Sequence, residues 1–245
     1  MASLLKQAKS SLRRGSGALI KRAVSRTDSR MSRAYGRALC YLDMMFVDYG
    51  IVRVFYNNQH HISPDIWRSA QPIPRHVRAL ADKGVKTIIN LRGEQTVGTR
   101  WLEQNACDRS GIKFVDVRVR SRAAPTVGEF NAMRQALESV EYPILIHCKS
   151  GADRAGVMSV LARHIHDGVP IKEARDQLSL KFGHIRQADT GILDAVFDRY
   201  VEDNEKNPIE FWQWVETAYD HKVISQSFKA NSWATRFVGS ILRRE

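Results

Sequence analysis

Residues 143–156 read Pro-Ile-Leu-Ile-His-Cys-Lys-Ser-Gly-Ala-Asp-Arg-Ala-Gly, a pattern that predicts strand, tight loop and helix in immediate succession. Ile144, Leu145 and Ile146 form a short continuous apolar run, as expected of a strand buried on both faces. Beyond the loop, Met158, Leu161 and Ile165 recur at spacings of three and four, and Asp167-Gly168-Val169-Pro170 supplies a helix stop.

The loop must reverse the chain, so its backbone N–H groups lack ladder or helix partners and can point at an anion. The N-terminus of the following helix adds partial positive charge. Cys148 opens this loop and Arg154 closes it. A thiol at a helix N-terminus beside a cation ionises readily, and a guanidinium can take two phosphate oxygens in a bidentate fork. This is the chemistry of a thiolate attacking a phosphate ester, with a covalent cysteinyl-phosphate that water later hydrolyses. The expected phosphate cradle is Lys149, Ser150, Gly151, Ala152, Asp153 and Arg154, with Cys148 as nucleophile.

His147 to Arg154, written His-Cys-x-x-Gly-x-x-Arg, resembles the phosphate loop of the cysteine-dependent protein tyrosine and dual-specificity phosphatase superfamily. Arg68-Ser69-Ala70-Gln71-Pro72 and Asn90-Leu91-Arg92 extend the resemblance to its atypical, mainly bacterial dual-specificity branch. The resemblance implies a phosphate monoester hydrolase that uses no cofactor and no metal. It also implies a proton donor for the leaving oxygen, in most members an aspartate some thirty residues before the cysteine. Asp116 is the only acid in the matching stretch 114–122, inside an expected strand where Arg118 shares its face and favours its charged form. Asp153 sits in the loop immediately before Arg154, close to where the leaving group must stand, and some bacterial relatives with an Asp-Arg loop ending use that aspartate, so Asp153 is the preferred donor; its competing reading is a cap for the helix. Ala155 stands where many relatives carry a hydroxyl that helps expel the thiolate, and Ser150 is the available substitute. Members of the superfamily often place a water-positioning glutamine on this side, which Gln177 or Gln187 could supply, but a surface glutamine is the commoner case and neither is counted as a site residue.

Around this centre, strands expected at 67–70, 86–91 and 112–119 alternate with helices at 74–83, 99–110 and 127–140, the pattern of an α/β fold with a mostly parallel central sheet flanked by helices. Ligands bind beyond the strand C-termini in such sheets. Two more helices are expected at 171–182 and 190–203, and a further start at Asn207-Pro208-Ile209-Glu210. The expected organisation is a basic amphipathic N-terminal extension over 1–61, a phosphatase domain over 62–205 and a helical amphipathic C-terminal extension over 206–245.

The 245 residues carry a net charge of +12, and residues 1–40 hold ten basic residues against Asp28 alone, a balance of +9. Such an arm fits an anionic surface, and no apolar run reaches the roughly 18–20 residues of a membrane span. Leu4, Leu5, Ala8 and Leu12, then Leu19, Ile20, Ala23 and Val24, fall at helical spacing, which suits an interface helix. A disordered arm and a transit peptide remain alternatives. Residues 38–56 are apolar but interrupted by Asp43, Asp48 and Arg53, so packing along the domain is the expectation. Phe228, Trp233, Phe237 and Ile241 with Lys229, Arg236, Arg243 and Arg244 form a second basic amphipathic pattern. Cys40, Cys107 and Cys148 are too few for a disulfide framework and fit a reducing compartment; Cys107 reads as an ordinary buried cysteine, with a resolving role for Cys148 as the alternative. Arg118, Arg120 and Arg122 alternate along an extended segment, with Arg122 the expected substrate contact and Lys149 at the mouth. The expectation is a lipid or other polyanionic phosphate, cleaved in the cytoplasm at the inner face of a membrane. A phosphoprotein substrate or an inactive phosphate-binding module are the alternatives, and specific nucleic-acid binding is not expected.

Overall fold

The structure is a computed structural model that describes residue 18 and residues 30–48, 50–94 and 98–229. The amphipathic patterns expected within 1–29, and the tail carrying Trp233, Phe237 and Ile241, lie outside the described residues. The fold is α/β, and the chain divides into two compact units: Met1–Asp116 with Glu141–Ser150, and Val117–Val140 with Gly151–Glu245.

The first unit contains a five-stranded sheet. Its strands are β1 (His60–Ser63), β2 (Ile66–Ala70), β3 (Thr87–Asn90), β4 (Lys113–Asp116) and β5 (Ile144–Cys148), in the order β1-β2-β5-β3-β4. Only the β1·β2 pair is antiparallel. β5 is central, and all five of its residues are buried, which is why it reads as an unbroken apolar run rather than an alternating one. Helices α3 (Pro74–Asp82) and α4 (Gly98–Ser110) cover one face through Val77, Leu80, Ala106 and Cys107 against Ile88 and Leu145. Each such aliphatic side chain contributes about 1.5–3 kcal/mol on leaving water.

The strand expected at 112–119 stops at Asp116. Its partner β3 ends at Asn90, which pairs with Asp116. Asp116 therefore closes a strand rather than sitting inside one. Ahead of the sheet, α1 (Arg30–Leu42) runs into a π-helical turn (Asp43–Val47), followed by α2 (Gly50–Phe55). Cys40 and Met44 pack with Ile73 and Leu102, the packing expected of this interrupted apolar stretch.

The second unit is helical, with α5 (Val127–Ser139), α6 (Asp153–Asp167), α7 (Ile171–Ala174), α8 (Ile192–Lys206) and α9 (Phe211–Thr217). Thr126 and Glu129 close a capping box at the start of α5. Gly168 ends α6 at φ 69°, a left-handed cap that glycine adopts without strain. The single helix expected at 171–182 is α7 followed by 3-10 turns at Arg175–Gln177 and Leu180–Phe182. The chain leaves helical geometry where it lies against Gly156 of α6, whose hydrogen points so closely at Leu178 that a Cβ there would stand 2.6 Å from Leu178 Cδ2. α9 starts after Pro208, capped by Glu210, whose side chain accepts from the Trp212 and Gln213 N–H groups. Its Phe211 packs edge-on against Phe130 and Tyr200, with Trp214 fully buried beside them.

Gly98 begins α4 so close to α1 that a Cβ would meet Cys40 Cα at 2.7 Å and the Cys40 carbonyl oxygen at 2.9 Å. Gly98→Ala must push α1 away, at about 1–3 kcal/mol for overpacking. Thermal denaturation should show a melting temperature lower by roughly 2–10 °C.

Candidate active site

Cys148 is the last residue of β5, in register with Ala70 of β2, while its neighbour His147 is opposite Ser69 of β2 and Asn90 of β3. It thus stands at the carboxyl edge of the sheet, where the chain segments after β2 and β3 also emerge. Those segments, with α4, place buried polar groups beside it. His147 Nε2 lies 2.8 Å from Glu103 Oε1 of α4, with both side chains fully buried. Gln71, just past β2, donates to Glu103 Oε2 at 2.7 Å, and Arg92, just past β3, donates to Gln71 Oε1.

Arg92 in turn forms a bidentate pair with Asp48, at 2.7 and 2.9 Å. The same carboxylate accepts from Arg53 at 2.9 Å and lies 3.2 Å from Lys149 Nζ of the loop. Burial pushes the Asp48 carboxyl up, but Arg92 foremost, then Arg53 and Lys149, hold it well below the usual carboxylate range. Three cations, Arg53, Arg92 and Lys149, thus share this carboxylate. The Ser150 carbonyl accepts a 3.0 Å bond from Asn58 Nδ2, so a second segment fixes the loop.

In the second unit the loop continues through Gly151, whose φ of 77° lies in the left-handed region that favours glycine. Asp153 is the first residue of α6 and not its cap; that position is Ala152, which offers no side-chain bond. The Asp153 carboxylate instead lies 2.7 Å from His184 Nδ1, and His184 Nε2 lies 2.6 Å from Asp194 Oδ2. Burial pulls the His184 pKa down, but its hydrogen bonds to Asp153 and Asp194 outweigh burial and raise it to about 9. His184 is thus an imidazolium bracketed by two carboxylates.

Asp116 is engaged otherwise than expected. Arg100 of α4, rather than Arg118, binds its carboxylate through Nε at 3.0 Å and through a second guanidinium nitrogen, and Asn90 donates to it at 2.7 Å. Arg118, Arg120 and Arg122 are all exposed and alternate with buried Val117 and Val119, but Arg120 is bound to Glu129 at 2.7 and 2.8 Å. Cys107 is fully buried in the core under the sheet, where burial pushes its thiol up, the arrangement of an ordinary buried cysteine. Gln187 is exposed; Gln177 is buried and bonded to Asp176. Among the described residues no His, Cys, Asp and Glu group could hold a metal ion, and no helix is long and apolar enough to cross a membrane.

Asp48, Asn58, Glu103, His184 and Asp194 escape sequence reasoning as site residues. The available signals were charges inside apolar runs: Glu103 after Trp101-Leu102, and Asp194 after Ile192-Leu193.

A family model described as DSP-PTPase phosphatase fused to NAD+ kinase matches residues 52–192. A dual specificity protein phosphatase, TpbA of Pseudomonas aeruginosa (strain UCBPP-PA14), is 25% identical over 123 residues, which are 49% of this chain and 53% of the relative. The chain thus spans about half the length of that curated relative. Among solved structures, Tk-PTP in its active form aligns with 61% of this chain and 97% of its own, at 17% identity and a TM-score of 0.45. The core catalytic domain of the PP-IP phosphatase SIW14 from S. cerevisiae aligns with 64% and 98%, at 23% identity and a TM-score of 0.45.

Two consequences of the geometry are measurable. Asp48→Asn removes the counter-charge of buried Arg53 and Arg92 and should cost about 3–5 kcal/mol, read as a lower urea midpoint. The folded pKa of His184 is raised, so its stabilising contribution is complete below its ordinary value of 6.5 and is lost as pH rises through about 9. Urea unfolding across that window should show the stability gap between wild type and His184→Asn closing as pH rises; a constant gap would contradict the charge assignment.

Proposed function

This chain belongs to the family described as DSP-PTPase phosphatase fused to NAD+ kinase, and from that premise we propose that it hydrolyses phosphate monoesters through a cysteinyl-phosphate. One observation carries the reading: the unbroken Cys148–Arg154 loop runs from the end of a buried central strand to the N-terminus of α6, with glycine at its left-handed position. Lys149 to Arg154 cradle the phosphate, and Arg154 takes two of its oxygens.

The Cys148 thiolate attacks phosphorus, so an S–P bond forms as the P–O bond to the leaving group breaks. The leaving oxygen takes a proton from Asp153. Water then attacks the cysteinyl-phosphate and gives a proton back to Asp153, releasing inorganic phosphate and restoring the thiolate. Asp153 suits this role better than Asp116, because Asp116 is bound by both Arg100 and Asn90. Ser150 stands in for the hydroxyl missing at Ala155.

The substrate we assign is a phosphate carrying further anionic groups, as in an inositol phosphate or a phospholipid head group. Support comes from Arg53, Arg92 and Lys149 around the single carboxylate of Asp48, and from exposed Arg122, the assigned contact for a second anionic group. Attachment to the inner face of an anionic membrane belongs to the same reading. It is supported by the basic balance of residues 1–40 and by Tyr35, Leu42, Phe46 and Phe55, which expose large apolar surfaces on α1, the π-helical turn and α2. Apolar side chains beside a basic arm match an interfacial helix.

Phosphate release from phospholipids, inositol phosphates and phosphotyrosine peptides, with wild type and Cys148→Ser, tests the assignment. We expect turnover confined to polyanionic substrates and abolished by Cys148→Ser. Preference for phosphotyrosine peptides would transfer the protein to the phosphoprotein class, and absence of turnover on every substrate would overturn the enzymatic reading.

A further inference from the structure

Asp153 is asked to hold a proton in the first half of the reaction and to receive one in the second. An isolated, partly exposed carboxyl is empty of protons near neutral pH. The second unit supplies a neighbour that is not. His184 is 1% exposed, and both ring nitrogens are at hydrogen-bond distance from carboxylate oxygens, 2.7 Å to Asp153 and 2.6 Å to Asp194. Two carboxylate acceptors call for two N–H donors, which only the imidazolium provides.

The charged groups acting on the ring come from two elements, Asp153 at the start of α6 and Asp194 in the first turn of α8. Asp198, one turn further along α8, is bound by Arg175 and Arg186 and so is not a competing acceptor. Asp194 also lines a polar cavity of about 250 Å³ together with Arg175, Arg186 and Asp198. The far end of the triad is thus in reach of water.

We propose that His184 is a positioning residue that shares one proton with Asp153, while Asp194 holds the opposite face of the ring, so that Asp153 remains a competent acid at neutral pH. The inference deepens the phosphatase reading and rests on it. In the first step the proton on His184 Nδ1 passes to Asp153 and from there to the leaving oxygen as the P–O bond breaks, which leaves Asp153 a carboxylate. His184 becomes a neutral ring whose Nε2–H still donates to Asp194. In the second step the attacking water gives a proton to Asp153, and the pair returns to its starting state. One proton leaves the pair and one returns, with no outside acid or base. Coupled groups of this kind titrate as a pair, not as separate residues, with the shared proton held between Asp153 and His184.

The test compares wild type, His184→Asn and Asp194→Asn on phenyl phosphate, a poor leaving group, and 4-nitrophenyl phosphate, a good one. Asparagine at 184 keeps a donor near Asp153 but carries no exchangeable charge. His184→Asn should lower kcat on phenyl phosphate on the order of 100-fold, as loss of general acid catalysis does, and on 4-nitrophenyl phosphate only several-fold. The basic limb of its pH profile should move to lower pH, with Asp194→Asn moving it the same way by less. Equal losses on both substrates with an unmoved limb would reduce the triad to a structural ion pair and overturn the proposal. So would no loss on phenyl phosphate. A wild-type chain without Cys148-dependent turnover would instead overturn the phosphatase reading, a result separable from either outcome because it requires no variant at His184.

Discussion

Asp48 places one carboxylate out of water and surrounds it with Arg53, Arg92 and Lys149. In a medium of low polarity a lone buried charge is strongly disfavoured, so the carboxylate and its guanidiniums have to remain together. From that pair the polar chain runs through Arg92 to Gln71, Glu103 and His147, reaching the segments after β2 and β3 and the end of β5. The constraint therefore joins local geometry to chemistry: the strand that delivers Cys148 ends where its neighbours are tied by buried charges. Apolar packing of α3 and α4 under the sheet supplies most of the driving force, but it is indifferent to direction.

The second unit solves a comparable problem with different groups. His184 lies in a stretch of turns, between Gly183 in its left-handed conformation and the 3-10 turn at Asp189–Gly191. Gly191 approaches the Arg186 carbonyl so closely that a Cβ would stand 1.8 Å from its oxygen. Glycine thus lets the segment fold tightly enough to bring a histidine to the first residue of α6. A helix through the same residues could not present that ring and would need no glycine there.

The legible parts of this sequence were those written in short periods. The apolar run 144–146, the three-and-four spacing from Met158 to Ile165 and the stop at Gly168 each lie within one element, and β5, α6 and the Gly168 cap follow them. Alternating strands and helices were enough to indicate a mostly parallel sheet, and the Cys148 loop carried the family resemblance through adjacent residue types. Polar pairings between distant elements leave no such trace. Asp48 and Arg92 are 44 positions apart, Gln71 and Glu103 are 32 apart, and Asp153 and His184 are 31 apart. Asp116 shows the same limit: an arginine two residues away was the visible partner, while Arg100, sixteen positions earlier, takes the carboxylate. The helix expected over 171–182 gives way to turns where Gln177 and Leu178 lie against Gly156 of another helix, a contact between distant positions.

The matched family segment begins at residue 52 and ends at residue 192. Asp48 lies just before it and Asp194 just after it, and each completes a charge cluster whose other members lie inside: Arg53 and Arg92 for one, Asp153 and His184 for the other. A fragment trimmed to the matched boundaries would keep the whole Cys148 loop yet lose the carboxylate that Arg53 and Arg92 share and half-bracket an imidazolium. In this chain the stretch recognisable by descent is shorter than the stretch that is electrostatically closed, and the flanks are where the ledger of charge is completed.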